Sequence, residues 1–418
     1  MVSSAASALG RVLWLNSPLQ LLTDNGALFM IEVVSYACAA FMLLHAHASP
    51  RRSKIVLGTI FVYHLVLLGL GCIDQDLTIT WYAQSTVMLG SGHLPLYLVV
   101  LHSMFYYVAY ITTQRLHLQD YASAGAFTLI VLCLTFPLEL VGPKFLLWTF
   151  HDTEPTLADR FLSIPIAILL AHIASSLAFY ASLCTFVSLG LPGHSYQPEH
   201  ALIEHLYPLL SILLSIPTSV LYFALLFHLI CDLILIHPHI LLLVLLSLGL
   251  AVVWSSDRLG GDLGPPQIPP WIYDGEWTNG WLDHALVQAI GLYTIVLLFL
   301  TIVVNPARLT SLSYHQRVGD CSTQTTYTTL LATTQTRFTF LCIVDYDEEF
   351  TFCNLPVNRI HTNEPWYAIC GHRYGHKAFP NYLACMIASA VITILGLRAA
   401  YSLVRPAYVQ RLLATKSS

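Results

Sequence analysis

Long apolar segments recur from one end of this chain to the other, and few folds can accommodate such a chain. A helix crossing a bilayer needs roughly 20 mostly apolar residues. Nine stretches meet or approach that length: residues 26–47, 54–72, 85–112, 120–141, 160–190, 206–232, 239–254, 284–304 and 380–403. Only 10% of the 418 residues are charged, where a soluble domain carries about 25%. Such a chain cannot cover a globular surface with charge, so its natural solvent is lipid. The expectation is an all-α, polytopic transmembrane helix bundle of about nine spans. The seventh stretch is short and is parted from the sixth only by His237-Pro238-His239. Read together as one re-entrant unit, those two would leave eight spans.

The net charge of −5 and the lack of a long basic run argue against nucleic acid as a partner. They leave the lipid bilayer, with a lipid or small molecule as ligand. Residues Met1 to Asn25 hold one Arg and no small-residue cleavage site after an apolar core. The first span is therefore expected to target the chain, in place of a cleaved signal peptide.

Three regions follow: a bundle of about eight helices over 1–304, an extramembrane loop over 305–379, and a last span with a basic tail over 380–418. Lys and Arg in short loops set orientation. Arg51, Arg52, Lys54, Arg115, Arg258, Arg405, Arg411 and Lys416 fall on one side of a nine-span chain; Arg11, Lys144 and Arg160 fall on the other. The richer side is expected to be cytoplasmic, with the C-terminus there. The N-terminus then lies outside the cell or in a lumen, at the plasma membrane or an endomembrane. Loop 305–379 shares the N-terminal side and carries Cys321, Cys342, Cys353 and Cys370, while the other six cysteines lie in apolar segments. On an oxidising side the four form two disulfides in one of three pairings; on a cytosolic side they are free thiols. Residues 323–340, rich in Thr and aromatics, favour strands, so a small, partly β structure is expected before the last helix.

On this topology His64, Asp74, Asp76, His93, His102, Glu139, His151, Asp152, Glu154, Asp159, His172, His228 and Asp232 gather toward one membrane face. The third and fifth spans share a pattern, Pro95 with His102 and Pro165 with His172. Seven residues make nearly two turns, so each proline and histidine share a helix face. Both imidazoles should lie at similar depth, roughly 10 Å beyond their prolines. A third Ser-Ile-Pro at 215–217 lacks the histidine, so the match suits a repeat of helical hairpins or coincidence alike. Ionisable groups in hydrocarbon cost several kcal/mol unless paired or hydrated, and a shared polar cavity would satisfy them. Trp148-Thr149-Phe150-His151-Asp152-Thr153-Glu154-Pro155 would form its mouth.

Plainer readings apply to each residue singly. A helix histidine often bonds a neighbouring carbonyl, and prolines are ordinary in first turns. Trp81 and Trp148 would serve as interfacial anchors. Asp152 would cap a short helix.

Together the residues suit two chemistries. His151, Asp152, Glu154 and Glu139 can act as general acids and bases. His102, His151, Asp152 and His172 can hold a divalent metal ion through nitrogen and oxygen. The same groups can relay protons. His372 with His376, and His200 with Glu204 and His205, are weaker ligand sets. Zincin, serine-hydrolase, desaturase and phosphate-loop motifs are absent. Loop 255–283 is acidic and rich in Gly and Pro; its Trp271, Trp277 and Trp281 would fold it onto the membrane surface or offer a cytoplasmic partner site.

The stretch Leu147 to Pro155, followed by Asp159-Arg160, together with His93-Leu94-Pro95-Leu96-Tyr97 and Phe105-Tyr106-Tyr107, resembles an uncharacterised eukaryotic multi-pass membrane family. That family shows a W-x-x-H-D-T-[DE]-P loop signature, then a D-R pair and a Pro-led helix. The resemblance covers the second to eighth spans and leaves out the N-terminus and the Cys loop. It implies topology and draws attention to the H-D-T-E-P site, without an activity. A fainter likeness is to bacterial carotenoid hydratase-type membrane proteins. Three functions fit: an enzyme modifying a lipid or isoprenoid, a transporter of protons, metal ions or a small solute, and a scaffold or receptor whose polar groups only tie helices together.

Overall fold

The computed structural model describes residues 13–72, 78–116, 118–190, 200–256, 281–353, 364–375 and 378–401. Asp74, Asp76, Arg258, Trp271, Trp277, His376 and the basic tail with Arg405, Arg411 and Lys416 lie outside the described residues.

Ten α-helices are present among them: α1 (Pro18–Asp24), α2 (Gly26–Ala48), α3 (Arg51–Leu70), α4 (Leu96–Leu116), α5 (Asp120–Val141), α6 (Ile166–Gly190), α7 (Ala201–Phe223), α8 (Pro238–Ser255), α9 (Ala285–Val303) and α10 (Phe379–Tyr401). All but α1 are long and apolar enough to cross a membrane, nine among the described residues. This is the architecture of a multi-pass membrane protein. The sixth and seventh spans are separate helices. α7 continues through a π-helical stretch, Ala224–Leu233, and the chain then turns at Leu235, whose φ is 64°. Pro238 opens α8, where its missing N–H costs nothing.

α4 lies at the centre, with Tyr97, Phe105, Tyr106 and Tyr107 fully buried. α7, α8 and α10 lie at the edge, and leucines such as Leu213, Leu243, Leu248 and Leu250 face outward. An ion pair of Arg52 Nη2 with Glu204 Oε1, at 2.5 Å, ties α3 to α7. Glu204 is thereby committed to packing, while His205 is exposed.

Short strands form a cap over one end of the bundle. They are β1 (Leu13–Leu15), β2 (Thr80–Tyr82), β3 (Val87–Leu89), β4 (Leu94–Pro95), β5 (Trp148–Phe150), β6 (Arg160–Phe161), β7 (Ile164–Pro165), β8 (Thr310–Tyr314), β9 (Gln324–Thr328), β10 (Thr334–Phe338), β11 (Phe350–Thr351) and β12 (Trp366–Gly371). The Thr-rich segment is the β9–β10 hairpin, as its propensities led us to expect, and β8, β12 and β11 make a second small sheet. Disulfides join Cys321 to Cys342 and Cys353 to Cys370.

Strands β2 to β7 were not expected, and they reveal a repeat. α3 leads to β2, a hairpin of β3 and β4, and then α4; α5 leads to β5, a hairpin of β6 and β7, and then α6. In each hairpin the proline is the last strand residue before the helix: Pro95 faces Met88, and Pro165 faces Arg160. β2 and β5 pair antiparallel, centred on Trp81 opposite Thr149. The two units thus meet about a local two-fold arrangement. Trp81 and Trp148 are buried within it and are not interfacial anchors.

Candidate functional site

The structure divides the expected site residues into two groups. The first lies inside the bundle. His102 sits six residues into α4 and His172 six residues into α6, roughly 9 Å from each helix start. Their rings stack with centroids 5.9 Å apart and an interplanar angle of 17°. Equal spacing from the two hairpins sets this equal depth.

Glu139 reaches the pair from the last turn of α5, where Oε1 accepts a hydrogen bond from His172 Nε2 at 2.9 Å. Pro137 in that helix has no N–H to bond back to the preceding turn. The carbonyls loosened there are taken up by neighbours: Cys133 O by the Ser389 hydroxyl at 3.5 Å, and Leu134 O by the Tyr293 hydroxyl at 3.0 Å. One ligand atom each from His102, Glu139 and His172 lies within 4.8 Å of the others.

Ring tautomers are set locally. His102 Nδ1 donates to Leu98 O at 2.9 Å, which leaves Nε2 with its lone pair. His64 on α3 does the same to Ile60 O at 2.9 Å. Its ring lies 5.9 Å from that of His102, and its buried Nε2 has no hydrogen-bond partner among the described residues. Deeper in the bundle, away from the cap, aromatic rings pack against one another. Tyr63 and Phe179 are 4.7 Å apart, Tyr106 and Phe127 5.4 Å, and Tyr106 and Phe179 5.6 Å.

The second group is the H-D-T-E-P stretch, whose side chains engage the cap. His151 and Asp152 belong to no cluster of three ligand atoms among the described residues. The backbone N–H of Asp152 donates to Gln316 Oε1 at 3.0 Å, and Asp152 Oδ1 accepts from the N–H of Asp347 at 2.8 Å. Asp152 therefore holds a distant loop and does not cap its own helix. Thr153 Oγ1 accepts from the N–H of Phe338 at 3.0 Å. Glu154 is buried, paired with Arg337 Nη1 at 2.8 Å, and accepts from Thr156 and Tyr327 hydroxyls. Arg160 binds Glu348 at 2.6 Å, and Lys144 pairs with Glu349. Sequence reading missed Gln316, Arg337 and Tyr327, for which no local spacing gave a signal.

Asp159, His237 and His239 form a second cluster of possible ligands, with His237 Nε2 3.6 Å from Asp159 Oδ1. Its side chains are about half exposed (54% and 44%), so water competes for them. His228 bonds Asp232 at 2.8 Å, four residues along the same helix. His372 is exposed.

Two cap histidines are held neutral. Burial, reinforced by the Arg337 charge, lowers the His151 pKa to about 3, and burial lowers that of His315 to about 3. A depressed histidine contributes stability above its unfolded pKa, near 6.5, and that contribution is lost as pH falls toward 3. The cap should therefore loosen between about pH 6.5 and 3. Amide protection at β9 and β10, corrected for the intrinsic exchange rate at each pH, should fall across that window in the wild type and fall less in His315→Phe.

No curated protein and no solved structure matches the chain. A family model matches residues 10–402, a range that includes the first span and the Cys loop. The chain belongs to the family described as Domain of unknown function (DUF7802).

Proposed function

We propose that this protein is a membrane-embedded, metal-dependent enzyme acting on a lipid or isoprenoid, with His102, Glu139 and His172 as the ligands of a divalent ion. The observation that carries the reading is the convergence of these three ligand atoms, within 4.8 Å of one another, from three helices. Two imidazoles and one carboxylate suit Zn²⁺, Mn²⁺ or Fe²⁺ and leave coordination positions open, as catalytic sites require. The fit rests also on tautomer, since Leu98 O holds His102 with Nε2 unprotonated. The proton shared by His172 and Glu139 is the one a cation would replace. A divalent ion held there would polarise a substrate oxygen or activate water.

The chain's own residues supply the rest. His64, with an unpartnered Nε2 beside His102, is placed to accept a proton. The packed Tyr63, Tyr106 and Phe179 rings lie below the three ligands and would keep water from reaching them on the far side. His172 and Glu139 retain 14% and 8% side-chain exposure, which supports entry from the bundle surface or the cap.

Transport of an ion or small solute draws on the repeated hairpins, since many carriers are built from repeats. The aromatic packing favours the enzyme, because it would close the path to the other face. The cap disulfides, with Arg51, Arg52 and Arg115 at the opposite helix ends, support a cap facing the outside or a lumen and a cytoplasmic C-terminus.

The test is metal analysis of protein purified without chelator. Wild type should carry about one ion per chain, and His102→Ala and His172→Ala should bind more than roughly tenfold more weakly. Monodisperse elution of both variants separates loss of the site from loss of the fold. Wild type that is metal-free and takes up no Zn²⁺, Mn²⁺ or Fe²⁺ on dialysis would overturn the reading.

A further inference from the structure

The cap holds a cavity of about 280 Å³, away from the three proposed metal ligands. His151, Gln316, Arg317 and Arg337 line it, with Trp81 and Phe340 as apolar walls, and among the described residues its lining carries no carboxylate. Gln316 fixes the chemistry at its base. Its Oε1 accepts the Asp152 N–H at 3.0 Å, so the amide nitrogen must face His151 Nε2, 3.2 Å away. An amide N–H can only donate, so His151 Nε2 is the acceptor and the ring proton sits on Nδ1. Nδ1 is buried and has no hydrogen-bond partner among the described residues. A buried donor left unmet costs about 1–3 kcal/mol, and the His151 ring that carries it stands in the wall of a cavity lined also by two arginines.

The site is preformed. The Tyr367 hydroxyl donates to Gln316 O at 2.7 Å, and Arg317 O accepts the Leu341 N–H at 2.8 Å. The Cys321–Cys342 disulfide closes the same pair of segments. Arg337 is oriented by Glu154, which engages its Nη1 at 2.8 Å, while Arg317 is exposed at the rim.

We propose that this cavity binds a phosphate-type oxyanion, free or as a lipid headgroup, through Arg317 and Arg337, with Gln316 and the His151 ring at its base. A guanidinium fork matches a pair of phosphate oxygens, and among the described residues the lining brings no carboxylate to compete. The cavity exceeds what a bare phosphate fills, leaving the Trp81 and Phe340 walls for an apolar portion. This site stands independently of the metal reading.

The test is calorimetric titration of the full chain in neutral detergent, near pH 7, with inorganic phosphate and separately with dihexanoyl phosphatidic acid. Wild type should bind at least one of them. Arg317→Gln should weaken that binding about tenfold, the worth of one charge-assisted hydrogen bond, and Arg317→Glu should abolish it. Unchanged thermal midpoints in both variants, expected at an exposed position, confirm that the fold is kept. Tighter binding of the short-chain lipid assigns the site to a headgroup, and equal binding assigns it to free phosphate. Absence of binding to either probe at millimolar concentration, or binding unaltered in both Arg317 variants, overturns the proposal.

Discussion

Glu154→Leu should destabilise the cap by about 3–5 kcal/mol, the cost of leaving a buried charge without its partner. The charge left behind is that of Arg337, whose side chain is 8% exposed and pairs with Glu154 at 2.8 Å. The leucine would also remove the acceptor for the Thr156 and Tyr327 hydroxyls. Glu154→Leu with Arg337→Met should be much milder than the sum of the two single changes, because an apolar pair can replace a buried ion pair at little cost. Hydrogen exchange at the β9 and β10 amides reads the effect locally, and the thermal midpoint in detergent reads it globally. A loss under 1 kcal/mol, or additive single and double variants, would show that the stretch is not what fastens the cap.

Gly142→Ala should cost about 1–3 kcal/mol by overpacking. A Cβ at Gly142 would lie 2.1, 2.4 and 2.6 Å from three ring atoms of Trp148, far inside van der Waals contact. The indole cannot move aside cheaply. It is buried, its strand pairs with β2, and Leu147 N–H donates to Gly142 O at 2.8 Å. Glycine is required here for space, since the backbone at Gly142 is ordinary right-handed helix. Gly58→Ala, where nothing lies within 4 Å, is the control and should be neutral or stabilising by up to about 1 kcal/mol. Equal midpoints for the two variants would sink the packing argument.

How much of this was readable follows from the range of each interaction. Spans are a matter of local length and apolarity, so all nine segments were legible, including the short one at 238–255. The Pro–His spacing placed His102 and His172 at one depth because helical rise is constant, and the rings are indeed stacked. Span starts were less legible. The expected boundaries at 85 and 160 absorb β3, β4, β6 and β7, since strands of two or three mostly apolar residues look like the first turn of a helix.

The role of the H-D-T-E-P stretch was hidden for another reason. Its partners Gln316, Arg337 and Asp347 lie 164, 183 and 195 residues further on. No local pattern specifies such contacts, so residues expected beside the intramembrane histidines instead fasten the cap. His64 showed in the polar pattern, yet only the structure reveals its unpartnered Nε2 beside His102.

X-ray absorption at the metal edge of the purified, metal-loaded protein tests the central claim most directly. We expect a first shell of nitrogen and oxygen at about 2.0–2.2 Å, with the outer-shell signature of two imidazoles and no sulfur. That signature should fall to one imidazole in His172→Ala. A shell containing sulfur, or one unchanged in His102→Ala and His172→Ala alike, would place the ion elsewhere and contradict the account.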